Sequence, residues 1–168
     1  MLCGALAGCG YTTRSMLNDK YRTIYIPPIA NKVDITTESY TGSQYKVYRP
    51  LLESDVTNAL ANRFLFDGNL RPTSKAGADL TLKAELVEFR RDALRYTDND
   101  DVLEYRLSVV VNMKLLDKEN KILWAENNFT GDTTYFTQGT AAKSEDAAVT
   151  DAINDLAQRI VDRVVEQW

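Results

Sequence analysis

The stretch "VLEYRLSVVVNMKLLD" constrains the fold more than any other part of the chain. Leu103, Tyr105, Leu107, Val109, Val111, Met113 and Leu115 alternate with Glu104, Arg106, Ser108, Val110, Asn112 and Lys114. A period of two sustained over this length sends every second side chain to one side, so the segment is a long strand with one face in and one face out. Its neighbours are equally readable. Upstream, "ADLTLKAELVEF" alternates Leu80, Leu82, Ala84 and Leu86 with Thr81, Lys83 and Glu85; Val87 and Phe89 then shift the phase, which marks a bulge. Downstream, "KILWAENNFTGDTTYF" returns as a further strand, and "TDNDD" and Asp117-Lys118-Glu119-Asn120 are the turns between them. Connections this short make the strands antiparallel.

Two helices are expected to cover the apolar face. Leu52, Val56, Ala59, Leu60 and Phe64, with Leu51 at the edge, recur at helical spacing behind Pro50, which suits a first helical position. Asp67-Gly68-Asn69 ends that helix, with Gly68 free to turn left-handed. Val149, Ala152, Ile153, Leu156, Ile160, Val164 and Trp168 form a second stripe. Ser144 is its N-cap, and Glu145 and Asp146 lie in the positive first turn. Near the start, "YRTIYIPPIANK" gives a short strand with Ile24 and Ile26 on one face, stopped by Pro27-Pro28. Residues 33–47 read as a polar loop whose Tyr40 and Tyr45, with Tyr48 just after, are candidate interface anchors. The order is therefore β-α-β-β-β-α. The expected class is α+β, a four-stranded, mostly antiparallel sheet with both helices packed on one face.

The chain begins "MLCGALAGCGYTTRS". Leu6-Ala7-Gly8-Cys9 has the form of a lipobox, in which small residues flank the signal-peptidase cut and the cysteine carries the lipid. Residues 1–8 then read as a residual lipoprotein signal peptide, 9–20 as the lipidated N-terminus and tether, and 21–168 as a single α/β domain. No Lys or Arg precedes the lipobox and the apolar stretch before it is short, which a start codon placed too late would explain. Cys3 leaves with the signal, and the mature chain keeps neither a free thiol nor a disulfide. No apolar run after residue 9 approaches the roughly 20 residues that cross a bilayer as a helix.

The chain has no histidine, which removes the commonest acid–base residue near neutral pH, the Ser-His and Cys-His nucleophile pairs, and the imidazole ligands of most zinc sites. A net charge of −4 gives no reason to expect nucleic-acid binding. The expectation is a protein without enzymatic activity, cofactor or metal. A carboxylate hydrolase built on Asp98 and Glu104 would require a concave pocket holding paired acids. Asp98, Asp100, Asp101 and Glu104 lack the Gly and spaced Glu of a calcium loop and read as a polar hairpin turn. Asn128-Phe129-Thr130 matches a glycosylation sequon, which carries little weight in a bacterial lipoprotein. In "EFRRDALRY", Arg90, Arg91 and Arg95 could grip phosphates through their planar forks, or blunt a strand edge with charge. A regular strand projects Arg91 and Arg95 to one side.

The element order and lipobox, with "CGY" at 9–11, "IYIPPIANK" at 24–32, "LANRFLFDGNLRPT" at 60–73, "ADLTLKAELVEF" at 78–89, "ILWAENNFTGDTTYF" at 122–136 and the terminal "AINDLAQRIVDRVVEQW", resemble the lipopolysaccharide-assembly lipoprotein family (LptE-like). The resemblance covers nearly the whole mature chain. It implies an outer-membrane lipoprotein facing the periplasm and lipid-anchored at Cys9. Such a protein plugs and helps assemble a β-barrel translocon (LptD-like) and binds lipopolysaccharide on its way to the cell surface. Gly10 after Cys9, rather than Asp, fits outer-membrane sorting. Basic residues are the family's expected contact with lipopolysaccharide, which makes Arg90, Arg91 and Arg95 the candidates for its phosphates. The competing reading is a periplasmic lipoprotein that regulates a peptidoglycan synthase; it calls for a longer disordered linker than residues 10–20.

Overall fold

The computed structural model describes residues 20–33, the backbone of 44–46, and residues 49–166. Cys9 and the rest of the segment 1–19, Tyr40, Tyr48, the Tyr45 side chain and Trp168 lie outside them. The strands are β1 (Thr23–Tyr25), β2 (Ala30–Asn31), β3 (Gln44–Lys46), β4 (Arg71–Pro72), β5 (Leu80–Tyr96), β6 (Val102–Asp117) and β7 (Ile122–Phe136). The helices are α1 (Leu52–Asp67) and α2 (Glu145–Glu166). As the alternation predicts, β5, β6 and β7 form an antiparallel meander. Its turns close on local carbonyls and side chains. Thr97 Oγ1 accepts from the Asp101 amide at 3.2 Å, and Asp117 Oδ1 accepts from Glu119 and Lys121 at 2.9 Å.

The expected four-stranded, mostly antiparallel sheet needs correction: seven strands join, and the sheet is mixed. β6 covers one edge of the 17-residue β5 along its length, and the other edge is shared by three short strands. β1 pairs parallel with Leu80 and Thr81, β2 parallel with Glu85 and Leu86, and β3 antiparallel with Arg90 to Asp92. β4 adds outside β1, also parallel, so the chain crosses over through α1 between the two. The polar segment 33–47 thus contains a strand where the sequence reads as loop. Two- and three-residue strands carry too little periodicity to be read; the unfilled edge of β5 recruits them.

The phase shift at Val87 is a real bulge. The register passes from Leu86↔Val111 to Glu88↔Val110, which returns Phe89 to the face of Leu86. Leu82, Ala84, Leu86 and Phe89 then stand opposite Leu115, Met113, Val111 and Val109 and join the buried stripes of both helices in one apolar cluster. α1 contributes Leu52, Val56, Leu60 and Phe64; α2 contributes ten buried residues, because it packs against both the sheet and α1. Gly68 ends α1 in the left-handed region, donating its N–H to the Phe64 carbonyl at 3.1 Å. Ser144 Oγ accepts from the Ala147 amide at 3.3 Å, the N-cap read from sequence. α1 starts differently: Leu51, not an Asx or Ser/Thr, occupies its N-cap at φ 63°, a conformation that strains a β-carbon.

The terminal strands β4 and β7 are both protected. β4 is two residues long and contains Pro72, which blunts that side. On the other side α2 straps β7. Asp155 Oδ2 accepts from the Asp132 amide at 3.0 Å, Arg159 donates to the Thr130 carbonyl at 3.0 Å, and Arg163 pairs with Glu126 at 2.9 Å.

Asp79 pins β1 to the start of β5. Its carboxylate accepts from the Arg22 and Thr23 amides at 2.9 and 3.0 Å and from Thr23 Oγ1 at 2.8 Å, and it pairs with Lys118 at 2.6 Å. The Lys118 ammonium, then these hydrogen bonds, hold the carboxyl far below its ordinary value. Asp79→Asn is therefore expected to cost about 1–3 kcal/mol at neutral pH. The carboxylate's contribution is complete above its unfolded value of 3.8 and drains away as pH falls toward the lower native value. Urea unfolding should show the gap between wild type and variant narrowing below about pH 4. A gap independent of pH would contradict the assignment.

Candidate functional site on the open sheet face

The three arginines of β5 do not converge. Arg90 stands opposite Ser108 on the face turned away from the helices, and Arg91 stands opposite Leu107 on the core face. A second register shift between Ala93 and Arg95 places Arg95 opposite Glu104, on the Arg90 side. The expectation that Arg91 and Arg95 share a side fails because the strand is bulged there.

Each arginine is also engaged. Arg90 is gripped by Glu88 at 3.1 Å and Asp92 at 2.9 Å. Arg95 pairs with the nearly buried Glu104 at 2.9 Å. Arg91 donates to Glu145, the first residue of α2, at 2.6 Å and lies 4.9 Å over the Tyr105 ring. Tyr105 in turn stacks on Tyr135, whose hydroxyl donates to the same Glu145 at 3.3 Å. Burial tends to lower the Arg91 value, but Glu145 more than offsets it and the net shift is upward; burial and then Glu145 raise the Tyr135 phenol. Arg91 thus ties β5 to the N-terminus of α2, a positioning task inside the fold.

The open face carries a lattice of opposite charges. Arg106 approaches Asp132 at 3.8 Å, and at the β7 edge Arg159 of α2 reaches the same Asp132 and its own helix's Asp155, both at 3.5 Å. Half-exposed pairs of this kind contribute about 0–1 kcal/mol each. One place on this face breaks the alternation. Lys83 and Lys114 are direct cross-strand partners, both exposed, and neither has a carboxylate partner among the described residues. Like charges directly opposite one another are destabilising. Two exposed lysines at directly opposed strand positions can both reach one anion. The sequence shows both lysines on the polar phase of their strands, but only the bulge at Val87 brings them into register.

Glu104 and Asp98 have different surroundings. Glu104 is neutralised by Arg95, and Asp98 lies in the hairpin turn. Among the described residues no three His, Cys, Asp or Glu come together as a metal site, and no helix is long and apolar enough to cross a membrane.

A long antiparallel meander with two helices on one face and charged side chains on the other defines the chain as an α+β sheet-and-helix body. Residues 21–164 match the family described as lipopolysaccharide-assembly (LptE), and the chain belongs to this family of non-enzymatic envelope lipoproteins. No curated protein sequence matches it. Among solved structures, the PelC dodecamer from Paraburkholderia phytofirmans is similar over 93% of this chain and 96% of its own, at 13% identity and TM-score 0.51. A hypothetical protein from Chlamydia trachomatis is similar over 86% and 95%, at 15% identity and TM-score 0.52. A minor lipoprotein from Acinetobacter baumannii is similar over 86% and 93%, at 16% identity and TM-score 0.51. At these identities the likeness is one of fold.

Proposed function

We propose that this chain is an outer-membrane lipoprotein, anchored on the periplasmic side through acylated Cys9, which plugs and helps assemble an LptD-like β-barrel and binds lipopolysaccharide during its insertion at the cell surface. The observation that carries the reading is the family match, which runs through both helices and all three long strands. The open sheet face supplies the chemistry. Lys83 and Lys114 hold a lipid phosphate first, and Arg90 and Arg95 add their remaining guanidinium donors to it as the ligand moves along the strands, each keeping its carboxylate partner. Arg91, engaged by Glu145 on the other face, contributes to phosphate binding only if that pair opens.

Binding of fluorescently labelled lipopolysaccharide to the purified full chain tests this face. The double variant Lys83→Glu/Lys114→Glu is expected to bind at least about tenfold more weakly. The wild-type affinity is expected to fall as salt is raised, as an exposed charge contact requires. An unchanged affinity in the double variant would move the phosphate contact off this surface.

A further inference from the structure

The folded body joins the segment before it at Lys20, and that end of the molecule has a surface of its own. Lys20 and Tyr21 lie against the β6–β7 turn and share a hollow of about 200 Å³ with Asp79, Lys118 and Glu119. β1 follows at once: the Arg71 amide donates to the Arg22 carbonyl at 2.9 Å, and Thr23 Oγ1 donates to the Gly77 carbonyl at 3.0 Å. β4 is entered from Gly68, the stop of α1, so the last turn of that helix comes to the same end. The opposite end, a 17-residue strand or about 55 Å away, is the β5–β6 turn with Asp98, Asp100 and Asp101.

The last turn of α1 exposes two large apolar side chains in succession, Leu65 at 61% and Phe66 at 82%. Cations surround them. The Arg63 guanidinium lies 5.3 Å from the centre of the Phe66 ring, and Lys20, Arg22, Arg71 and Lys75 are exposed on the adjoining strands and turns. Most acids of this end are bound: Asp67 accepts from the Asn69 amide, Asp79 pairs with Lys118, and Asp117 accepts from the amides of its own turn. Glu119 and, at the end of α2, Glu166 stay exposed. With Lys118 and Lys121 counted, cations outnumber acids here, in a chain whose net charge is −4.

We propose that this end rests on an anionic phospholipid leaflet, with Leu65 and Phe66 in the interfacial layer and the cations on headgroup phosphates. The choice of a leaflet rests on the reading of Cys9 as lipidated. Only the steps from residue 9 to residue 20 separate the acyl chains from Lys20, which keeps a leaflet within about 40 Å of this end. At that effective concentration weak contacts suffice, and the same contacts are too weak to hold a chain that has lost its lipid. The shape of the surface favours a layer over a docked helix. Phe66 forms a wall of the groove between α1 and α2, but successive helical positions diverge by about 100°. A helix laid in that groove would cover Phe66 and leave Leu65 bare, whereas a layer that receives the end of α1 takes in both. Arginine and lysine stems lie along the apolar boundary while their charged heads reach the phosphates. The contact needs only the chain and a leaflet, so it is available before a barrel is engaged.

Cosedimentation of the full chain carrying Cys3→Ala/Cys9→Ala, and so without lipid, tests the surface itself. On vesicles of phosphatidylcholine and phosphatidylglycerol at about 3:1, half-binding is expected near about 1 mM lipid, and on phosphatidylcholine alone at least about tenfold weaker. Leu65→Ser/Phe66→Ser and Lys20→Glu/Lys75→Glu should each weaken binding to the mixed vesicles about tenfold, with urea unfolding unchanged because all four side chains are exposed. In the same background, an environment-sensitive fluorophore on Ser74→Cys should shift to the blue on mixed vesicles, and one on Asn99→Cys, in the opposite turn, should not. Three results would overturn the proposal: no binding to mixed vesicles, as a protein partner for this end would give; undiminished binding in either double variant; or an equal blue shift at both labels. The tested chain carries no lipid, so such a failure is distinct from a failure of the Cys9 reading, which fractionation of the Cys9→Ala variant decides.

Discussion

Gly131→Ala is expected to lower the unfolding free energy by about 3 kcal/mol, the upper end of what one added methyl costs in a packed site. A β-carbon on Gly131 would stand 2.4 Å from the backbone N, the Cα and the Cβ of Leu156. Backbone cannot rotate out of the way as a side chain can, so α2 as a whole would have to lift from β7. It is held on both sides of the contact, by Asp155 on the Asp132 amide and by Arg159 on the Thr130 carbonyl. Lifting it would leave those edge groups without partners and loosen the buried stripe from Ala148 to Val165. Gly77→Ala is the control, because its nearest neighbour would be Thr73 Oγ1 at an ordinary 3.6 Å; a change within about 0.5 kcal/mol is expected there. Urea unfolding of the three proteins checks both. Equal stability of Gly131→Ala and wild type would mean that α2 does not ride this close to the sheet.

Cys9→Ala is expected to move the protein from the membrane pellet to the soluble periplasmic fraction. The lipobox reading puts acyl chains on both the sulfur and the new amino terminus, and each buried CH₂ adds about 0.8 kcal/mol of membrane affinity. Alanine accepts no lipid, and no helix among the described residues can replace the anchor by spanning a bilayer. A barrel partner would hold the protein by a second route, so the fractionation is done in cells depleted of that barrel. Retention of the variant in the pellet under those conditions would remove the anchor from the account.

What the residues reveal beforehand divides along the range of the interactions. The meander, the bulge at Val87, the Gly68 stop and the Ser144 cap are set by neighbours within a few positions, so they stand in the sequence as periodicity and punctuation. β2, β3 and β4 owe their pairing to edges of β5 and β1 many residues away. The parallel pairing of β1 follows from the crossover through α1, which a list of elements leaves open. The site is less legible than the fold for the same reason. Arg90, Arg91 and Arg95 announce themselves as a cluster, yet two irregularities in the β5 register decide which face each one meets. Their carboxylate partners range from Glu88, two positions from Arg90, to Glu145, 54 residues from Arg91. Lys83 and Lys114 look unremarkable until the register makes them neighbours. Gly131 gives no local sign at all, since its requirement comes from the path of α2.

The central claim is that this folded body works against a barrel in the outer membrane. Affinity capture of the tagged, lipidated full chain from detergent-extracted membranes, followed by identification of what comes with it, tests this most directly. The account predicts an outer-membrane β-barrel of the LptD type, with lipopolysaccharide in the same fraction. Capture of an inner-membrane peptidoglycan synthase with no barrel would contradict it.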